Sequence, residues 1–207
     1  MIAKLNTWLL LWLLTLLTAC GSGQYDEQLN ALSHDAVILA FGDSLTYGTG
    51  ANHQTESYPA VLAELSGQTV INAGVPGEIS QQGLVRIEQL LAEHQPQLVL
   101  LCHGGNDLIR KLDTDKIKQN LSQMIAQIRA QGAQVVMLSV PRPGVFLKAA
   151  PLYREVAESE QVLLENDIIA DIESEVSLKS DAIHPNAEGY RLLAERVYQL
   201  LTTAGAL

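Results

Sequence analysis

The chain of 207 residues is long enough for one domain with a sizeable core and a short appendage. Its formal net charge of −10 argues against a nucleic-acid-binding surface, which needs a basic stripe, and against electrostatic attraction to anionic lipid headgroups. The two cysteines are too few for a disulfide framework and do not form a CxxC metal site.

The first nineteen residues are typical of a secretion signal. Lys4 and the amino terminus supply positive charge, and a Leu- and Trp-rich run from Thr7 to Leu17 is short for a transmembrane helix. The stretch Leu17-Thr18-Ala19-Cys20 resembles the lipobox of bacterial lipoproteins, in which the cysteine is acylated and the preceding peptide is removed. A simple signal peptide cut near Ala19 and a signal anchor are the alternatives.

This resemblance implies a division of the chain into three parts. Residues 1–19 would be the signal peptide, residues 20–34 a tether with lipid attached at Cys20, and residues 35–207 the folded domain. The lipid would hold the domain in the bacterial cell envelope, facing the periplasm. In lipoproteins of enteric type the lack of Asp after the cysteine implies the outer membrane, so the resemblance favours the outer membrane over the inner one.

After the tether, apolar strand-like runs alternate with helical periodicity. This order predicts an α/β domain whose parallel sheet is covered on both faces. The predicted strands are residues 36–41, 69–73, 98–102, 134–140 and 162–164. The predicted helices are residues 58–65, 80–94, 116–130, 152–159, 168–173 and 186–201.

Ser44 follows the first predicted strand, which Gly42 interrupts. The carboxyl ends of strands in an α/β sheet are where ligands bind and where reacting groups are displayed. Ser44 is therefore a candidate nucleophile. The alternative is an ordinary strand-to-helix turn in which Asp43 or Ser44 caps the helix.

A serine nucleophile needs a base, and His184 is the best-placed histidine. Asp181 precedes it by three residues, close enough to reach the imidazole Nδ1 and orient the ring. The alternative is that Asp181 and His184 merely begin the last helix. The other histidines, of which His103 at a strand end is the hardest to dismiss, are His34, His53, His94 and His103.

Donors for a developing oxyanion are also available at strand ends. The Ser44 backbone amide and Gly74, which permits close approach, are two candidates. Asn106 offers a side-chain NH₂ after the third strand. A plain turn is the alternative for the Gly104-Gly105-Asn106-Asp107 stretch.

Four blocks follow one another along the chain: Gly42-Asp43-Ser44-Leu45, Asn72-Ala73-Gly74, Gly104-Gly105-Asn106-Asp107 and Asp181-Ala182-Ile183-His184-Pro185. These blocks resemble those of SGNH (GDSL-type) hydrolases and occur in the family's order. They cover essentially the whole chain from Ala36 onward, and four blocks in register are much more specific than one. Tyr58-Pro59-Ala60 and the compact length resemble the arylesterase, acyl-CoA thioesterase I and lysophospholipase branch.

The resemblance implies a flavodoxin-like three-layer α/β/α sandwich with a parallel sheet. It implies Ser44 as nucleophile, His184 as base and Asp181 as the residue that orients the base. Ser44, Gly74 and Asn106 would form the oxyanion hole. No metal and no organic cofactor is implied.

The sequence thus predicts a lipid-anchored serine esterase that cleaves carboxylic esters or thioesters through an acyl-enzyme. We expect a monomer whose partners are a small ester or lysolipid-like substrate and the membrane reached through Cys20. Residues 47–57, 75–80 and 142–147 are expected to wall an acyl pocket, and Val75, Ile79 and Val145–Leu147 make it apolar. Cys102-His103 departs from the branch's usual acidic or small residue, which puts substrate preference in doubt.

Two other functions remain open at this point. A carbohydrate O-deacetylase of the same superfamily would differ in the acyl pocket. A non-catalytic envelope lipoprotein using this fold as a binding module would have a damaged catalytic set, and here no member of the set is missing.

Overall fold

The computed structural model describes residues 28–144 and 147–207, so the predicted signal peptide and Cys20 lie outside the described residues. Its centre is a five-stranded, all-parallel sheet with the order β2-β1-β3-β4-β5. This is the order of flavodoxin-like sheets, and it confirms the predicted fold class. The strands are β1 Val37–Gly42, β2 Thr69–Gly74, β3 Leu98–Cys102, β4 Gln134–Leu138 and β5 Leu163–Glu165.

Helices cover the sheet because its strands are too apolar to face water. The chain winds from β1 to one edge and then back across to the other, which with right-handed crossovers distributes helices over both faces. One layer packs α2 on α8, and the other packs α3 and α6 on α5. The helices are α1 Ser44–Tyr47, α2 Tyr58–Ser66, α3 Ser80–His94, α4 Gly105–Ile109, α5 Thr114–Ala130, α6 Pro151–Glu160, α7 Ile168–Ser174 and α8 Ala187–Thr203, with a 3₁₀ turn at Val176–Leu178.

Long periodic segments were the easiest to predict. The bounds of α3 and β3 agree with the sequence prediction, and the other long elements shift by a few residues at their ends. The short helix α4 was not predicted and α1 was considered only in the capping alternative for Asp43 and Ser44, because one turn is too short to show an apolar stripe. In the described residues no helix has both the length and the apolar character needed to cross a bilayer.

The first described residues belong to the packed domain. The Leu29 amide donates to the Ala204 carbonyl (2.8 Å) and the Leu32 amide to the Ala206 carbonyl (2.9 Å). Both leucine side chains pack against the core. Residues 28–34, which the sequence assigns to the tether, therefore run along the end of α8 as part of the domain.

Strand register brings the predicted blocks to one edge of the sheet. Gly42 at the end of β1 pairs with Gly74 at the end of β2 and with Cys102 at the end of β3. The segments that follow these three residues consequently emerge side by side. The functional site lies at this edge.

Candidate active site

Three side chains from opposite ends of the chain meet at the carboxyl edge of the sheet. Ser44 Oγ lies 3.0 Å from His184 Nε2. On the other side of the imidazole, His184 Nδ1 lies 2.7 Å from Asp181 Oδ2. The contacts order the groups as hydroxyl, imidazole and carboxylate, which is the arrangement that nucleophilic catalysis by serine requires.

The turn after β1 presents Ser44 through a close backbone approach. A Cβ atom on Gly42 would lie 2.2 Å from the Cys102 carbonyl oxygen, so only glycine lets β1 end this close to β3. Asp43 is buried, and its Oδ1 accepts from the Leu45 amide (3.1 Å), which caps α1. The capping alternative and the nucleophile prediction are therefore compatible, since Asp43 caps the helix while Ser44 faces the cleft.

The His184 loop is shaped mainly by its own hydrogen bonds. Asp181 Oδ1 accepts from the amides of Ile183 and His184, each at 2.9 Å. The Ser180 amide donates to the His184 carbonyl (2.9 Å), and Lys179 and Pro185 pair across the base of the loop. These bonds fix the carboxylate and the imidazole relative to each other.

Asp181 remains ionised throughout the neutral range. Its partial burial works to raise the pKa, but the hydrogen bonds from the His184 ring and from the two loop amides outweigh burial and lower the pKa to about 2. The carboxylate is thus available to orient the His184 ring and to stabilise a positive charge on it.

Asn106 lies across the cleft from this loop, at the start of α4. Its Nδ2 donates to Asp43 Oδ2 and to the Glu78 carbonyl, each at 3.1 Å. Both amide hydrogens therefore have acceptors, and one of them must be shared or released when Nδ2 donates to a substrate oxygen. Asp43 and Glu78 hold the amide in place beside Ser44.

A buried ionic cluster stands behind Asn106. The Arg86 guanidinium donates twice to the Glu78 carboxylate (2.8 and 2.6 Å), and His103 Nε2 lies 3.0 Å from Glu78 Oε2. The Gly104 amide donates to His103 Nδ1 (2.9 Å), which leaves Nε2–H to donate to Glu78. Partial burial works to raise the pKa of Glu78, whereas the His103 and Arg86 hydrogen bonds lower it below its ordinary value.

His103 therefore acts within the fold and does not line the cleft. Its side chain is fully buried, and the cleft is lined by the neighbouring Gly105 and Asn106 instead. The expectation that the Cys102-His103 departure bears on substrate preference finds no support in this placement. Sequence reasoning missed that His103 pairs with Glu78, 25 residues away in the chain.

The structure gives Gly74 a different use from the predicted one. Its amide donates to Asn72 Oδ1 (3.0 Å), and it is not among the residues that line the cleft. A Cβ atom there would lie 2.1 Å from the Tyr47 amide nitrogen, so glycine is required for packing of α1 against β2. Of the three predicted oxyanion donors, the structure brings Ser44 and Asn106 to the cleft and leaves Gly74 engaged elsewhere.

Comparison with known proteins agrees with this geometry. The GDSL-like lipase/acylhydrolase family profile matches residues 40–192. An arylesterase of Vibrio mimicus is 34% identical over 79% of this chain and 87% of its own, and the thioesterase 1/protease 1/lysophospholipase L1 of Escherichia coli K12 is 29% identical over 76% and 79%. The crystal structure of the psychrotrophic esterase EstA from Pseudoalteromonas sp., inhibited by monoethylphosphonate, superimposes with a TM-score of 0.73 at 27% identity, covering 82% of this chain and 98% of that one.

The chain belongs to the GDSL-like lipase/acylhydrolase family. It is an SGNH-type hydrolase of ester bonds, as predicted. The catalytic roles of Ser44, Asp181 and His184 stay predictions, to which the structure adds the contacts described above.

The cleft that Ser44 and His184 line has a volume of about 460 Å³. It runs between the His184 loop and the segment after β4, and Ser44 and Asn106 lie on its wall. Val145 and Phe146, two of the predicted wall residues, lie outside the described residues, whereas Leu147 lines the cleft. The apolar lining side chains are Leu45, Ile109, Val140, Pro141, Pro143, Leu147, Ala182 and Ile183.

Glu173 also lines the cleft, and sequence reasoning missed it. It lies on the buried face of α7, together with Ile169 and Ile172. A charged residue at a position where the helix periodicity predicts an apolar one could have indicated this in the sequence. Among the described residues, no group of three or more His, Cys, Asp or Glu side chains has the arrangement to hold a metal ion.

Proposed function

We propose that this hydrolase cleaves carboxylic esters or thioesters of small acyl chains, with Ser44 as nucleophile. The observation that carries the proposal is the pair of contacts at His184, 3.0 Å to Ser44 Oγ and 2.7 Å to Asp181 Oδ2. Arylesterase and thioesterase are also the names of two relatives. The apolar cleft supports an acyl chain rather than a sugar as the group bound there.

The reaction follows from the order of the three groups. Ser44 Oγ attacks the substrate carbonyl carbon while its proton passes to His184 Nε2, and Asp181 stabilises the imidazolium that forms. The imidazolium then gives the proton to the departing alcohol or thiol, which leaves an acyl group on Ser44. Water, deprotonated by His184, attacks the acyl group and releases the acid and free Ser44.

The negative charge on the carbonyl oxygen needs donors during both attacks. The Ser44 backbone amide and Asn106 Nδ2 are the proposed donors, because both residues line the cleft. The contacts of Asn106 with Asp43 and Glu78 hold it there before substrate arrives. Such preorganisation lowers the cost of orienting the donor in the transition state.

A fluorophosphonate probe tests the nucleophile. Wild-type protein should be labelled with loss of esterase activity, Ser44→Ala should not be labelled, and Ser122→Ala on α5 should behave as wild type. Intact-protein and peptide mass spectrometry would locate the adduct. Labelling that persists in Ser44→Ala would remove Ser44 as the nucleophile.

We further propose that Cys20 carries a lipid and that the enzyme is anchored in the cell envelope, facing the periplasm, with the outer membrane favoured. The support is the Leu17-Thr18-Ala19-Cys20 motif after an apolar run. Mass spectrometry of the mature protein should find an acylated Cys20 at its amino terminus, and Cys20→Ala should lose the acyl mass and membrane fractionation. Cys102→Ala is the matched control, and unacylated wild-type protein would contradict the proposal.

A further inference from the structure

Glu173 is a buried acid at the wall of the catalytic cleft. Its side chain is 4% exposed, and it lines the same cleft as Ser44 and His184. No hydrogen bond or ion pair with the described part of the chain accounts for its carboxyl group. The carboxyl group borders the cleft, so a bound substrate can supply it with a hydrogen-bond partner.

Burial favours the neutral form of Glu173. Burial raises its pKa to about 8, Asp43 and Asp181 act in the same direction, and Lys179 acts against them. Asp43 comes from the β1–α1 turn, and Lys179 and Asp181 come from the segment before α8, where the His184 ring also faces the cleft. At neutral pH Glu173 is therefore a carboxylic acid with one hydrogen to donate.

Apolar side chains make up part of the cleft that Glu173 lines. Val140, Leu147 and Ile183 line the same cleft and offer no acceptor on their side chains. In the acyl-enzyme, the acyl chain remains bonded to Ser44 Oγ and must occupy this cleft, while the leaving group departs. A polar atom on the acyl chain is thus the group that Glu173 is placed to meet.

We propose that Glu173 is a specificity-determining residue that hydrogen-bonds an oxygen carried on the acyl chain. The enzyme then prefers hydroxyacyl or oxoacyl esters to unsubstituted alkanoyl esters of the same length. This inference rests on the proposed function, since it assumes the acyl chain on Ser44. A plain chain leaves the acid without a partner, whereas an oxygen-bearing chain supplies one.

Paired substrates test this preference. The full chain would be assayed with p-nitrophenyl hexanoate and with its 3-hydroxy and 6-hydroxy derivatives, comparing kcat/KM within the set. One hydrogen bond of ordinary strength corresponds to about a tenfold ratio, which we expect for at least one of the two hydroxy esters. Glu173→Gln, which keeps a donor, should retain the preference, and Glu173→Leu should lose it in favour of the plain ester.

The pH dependence supplies a second readout. Ionisation of Glu173 places a negative charge in the apolar cleft, so wild-type kcat/KM for p-nitrophenyl hexanoate should fall above pH 8, whereas Glu173→Gln should show no such fall. Glu175→Gln, just beyond α7 and exposed, is the matched control and should follow wild type. If Glu173→Leu does not fold, the comparison of wild type with Glu173→Gln still decides this point.

Two results would overturn the inference. One is a ratio of kcat/KM for the hydroxy ester to kcat/KM for the plain ester that is near unity in wild type. The other is a ratio that Glu173→Leu leaves unchanged, even where this variant is more stable than wild type. Failure of the proposed function has a different signature, because wild-type protein would then hydrolyse none of the esters.

Discussion

The two sides of the cleft position their functional groups in opposite ways. Asn106 is held by Asp43, 63 residues away, and by Glu78, 28 residues away, with the Glu78–Arg86–His103 cluster behind it. His184 is held by Asp181, three residues away, within an exposed loop. We call these the oxyanion side and the base side.

Because of this difference, substitutions on the two sides should differ in their effect on the stability of the fold. The oxyanion side is built from contacts between distant segments, so its geometry depends on the assembled fold. The base side is shaped within one loop, and the Asp181 side chain is 53% exposed. Substitutions on the base side should therefore change activity alone, whereas those on the oxyanion side should change activity and stability together.

The largest effect is expected from His184→Ala on the base side. Removing the base should lower kcat/KM on the order of 10⁴-fold or more, because the Ser44 proton has no acceptor in the transition state. The free energy of unfolding should change by less than about 1 kcal/mol, since the altered side chain lies at the cleft surface. Ester hydrolysis and urea denaturation measure the two quantities.

Asp181→Asn should be less severe than His184→Ala. The amide oxygen can still accept from the Ile183 and His184 amides, so the loop keeps its shape while orientation of the ring is weakened. Losses from such a change reach about 10⁴-fold elsewhere, and we expect a smaller one here. Unfolding of either variant at markedly lower urea concentration would contradict the local character of the base side.

Asn106→Ala tests the oxyanion side. A donor to the oxyanion acts mainly in the transition state, so kcat should fall on the order of 10²–10³-fold with little change in KM. The variant should also lose stability, because the buried Asp43 carboxylate loses the Nδ2 donor. Ile109→Ala, in the same helix and also lining the cleft, is the control and should alter KM rather than kcat. An effect of Asn106→Ala on KM alone would make Asn106 a substrate-binding residue.

The same contrast explains what the sequence could predict. The strands, the long helices and the contact of Asp181 with His184 depend on local periodicity and short spacing, which are visible in the chain itself. The strand-end rule further placed Ser44 and Asn106 at one edge. The local part of the site was therefore predictable.

The remainder depended on partners that no local pattern identifies. The need for glycine at position 74 comes from the Tyr47 backbone, 27 residues earlier in the chain. The role of His103 is set by Glu78, and the placement of Leu29 by the end of α8. Each of these is a tertiary contact that appears only when the segments are assembled.

The smallest effect on activity is expected from His103→Leu. This variant distinguishes the contribution of the Glu78–Arg86–His103 cluster from that of Asn106, which the cluster supports. Leucine can occupy apolar space near Phe41, but Glu78 Oε2 loses the Nε2 donor and the Gly104 amide loses its acceptor. The free energy of unfolding should fall by about 1–3 kcal/mol. Arg86 still holds the Glu78 carboxylate, so kcat should fall less than about tenfold.

Two further variants sharpen this experiment. His103→Gln retains a side-chain N–H for Glu78 and should recover part of the lost stability, whereas His94→Leu, at the end of α3, should change it by less than about 0.5 kcal/mol. Urea denaturation and kcat with one ester would be measured for all three variants. A fall in kcat as large as that of Asn106→Ala would show that His103 is needed to position Asn106. Unchanged stability of His103→Leu would instead show that the Arg86–Glu78 pair alone holds this side of the cleft.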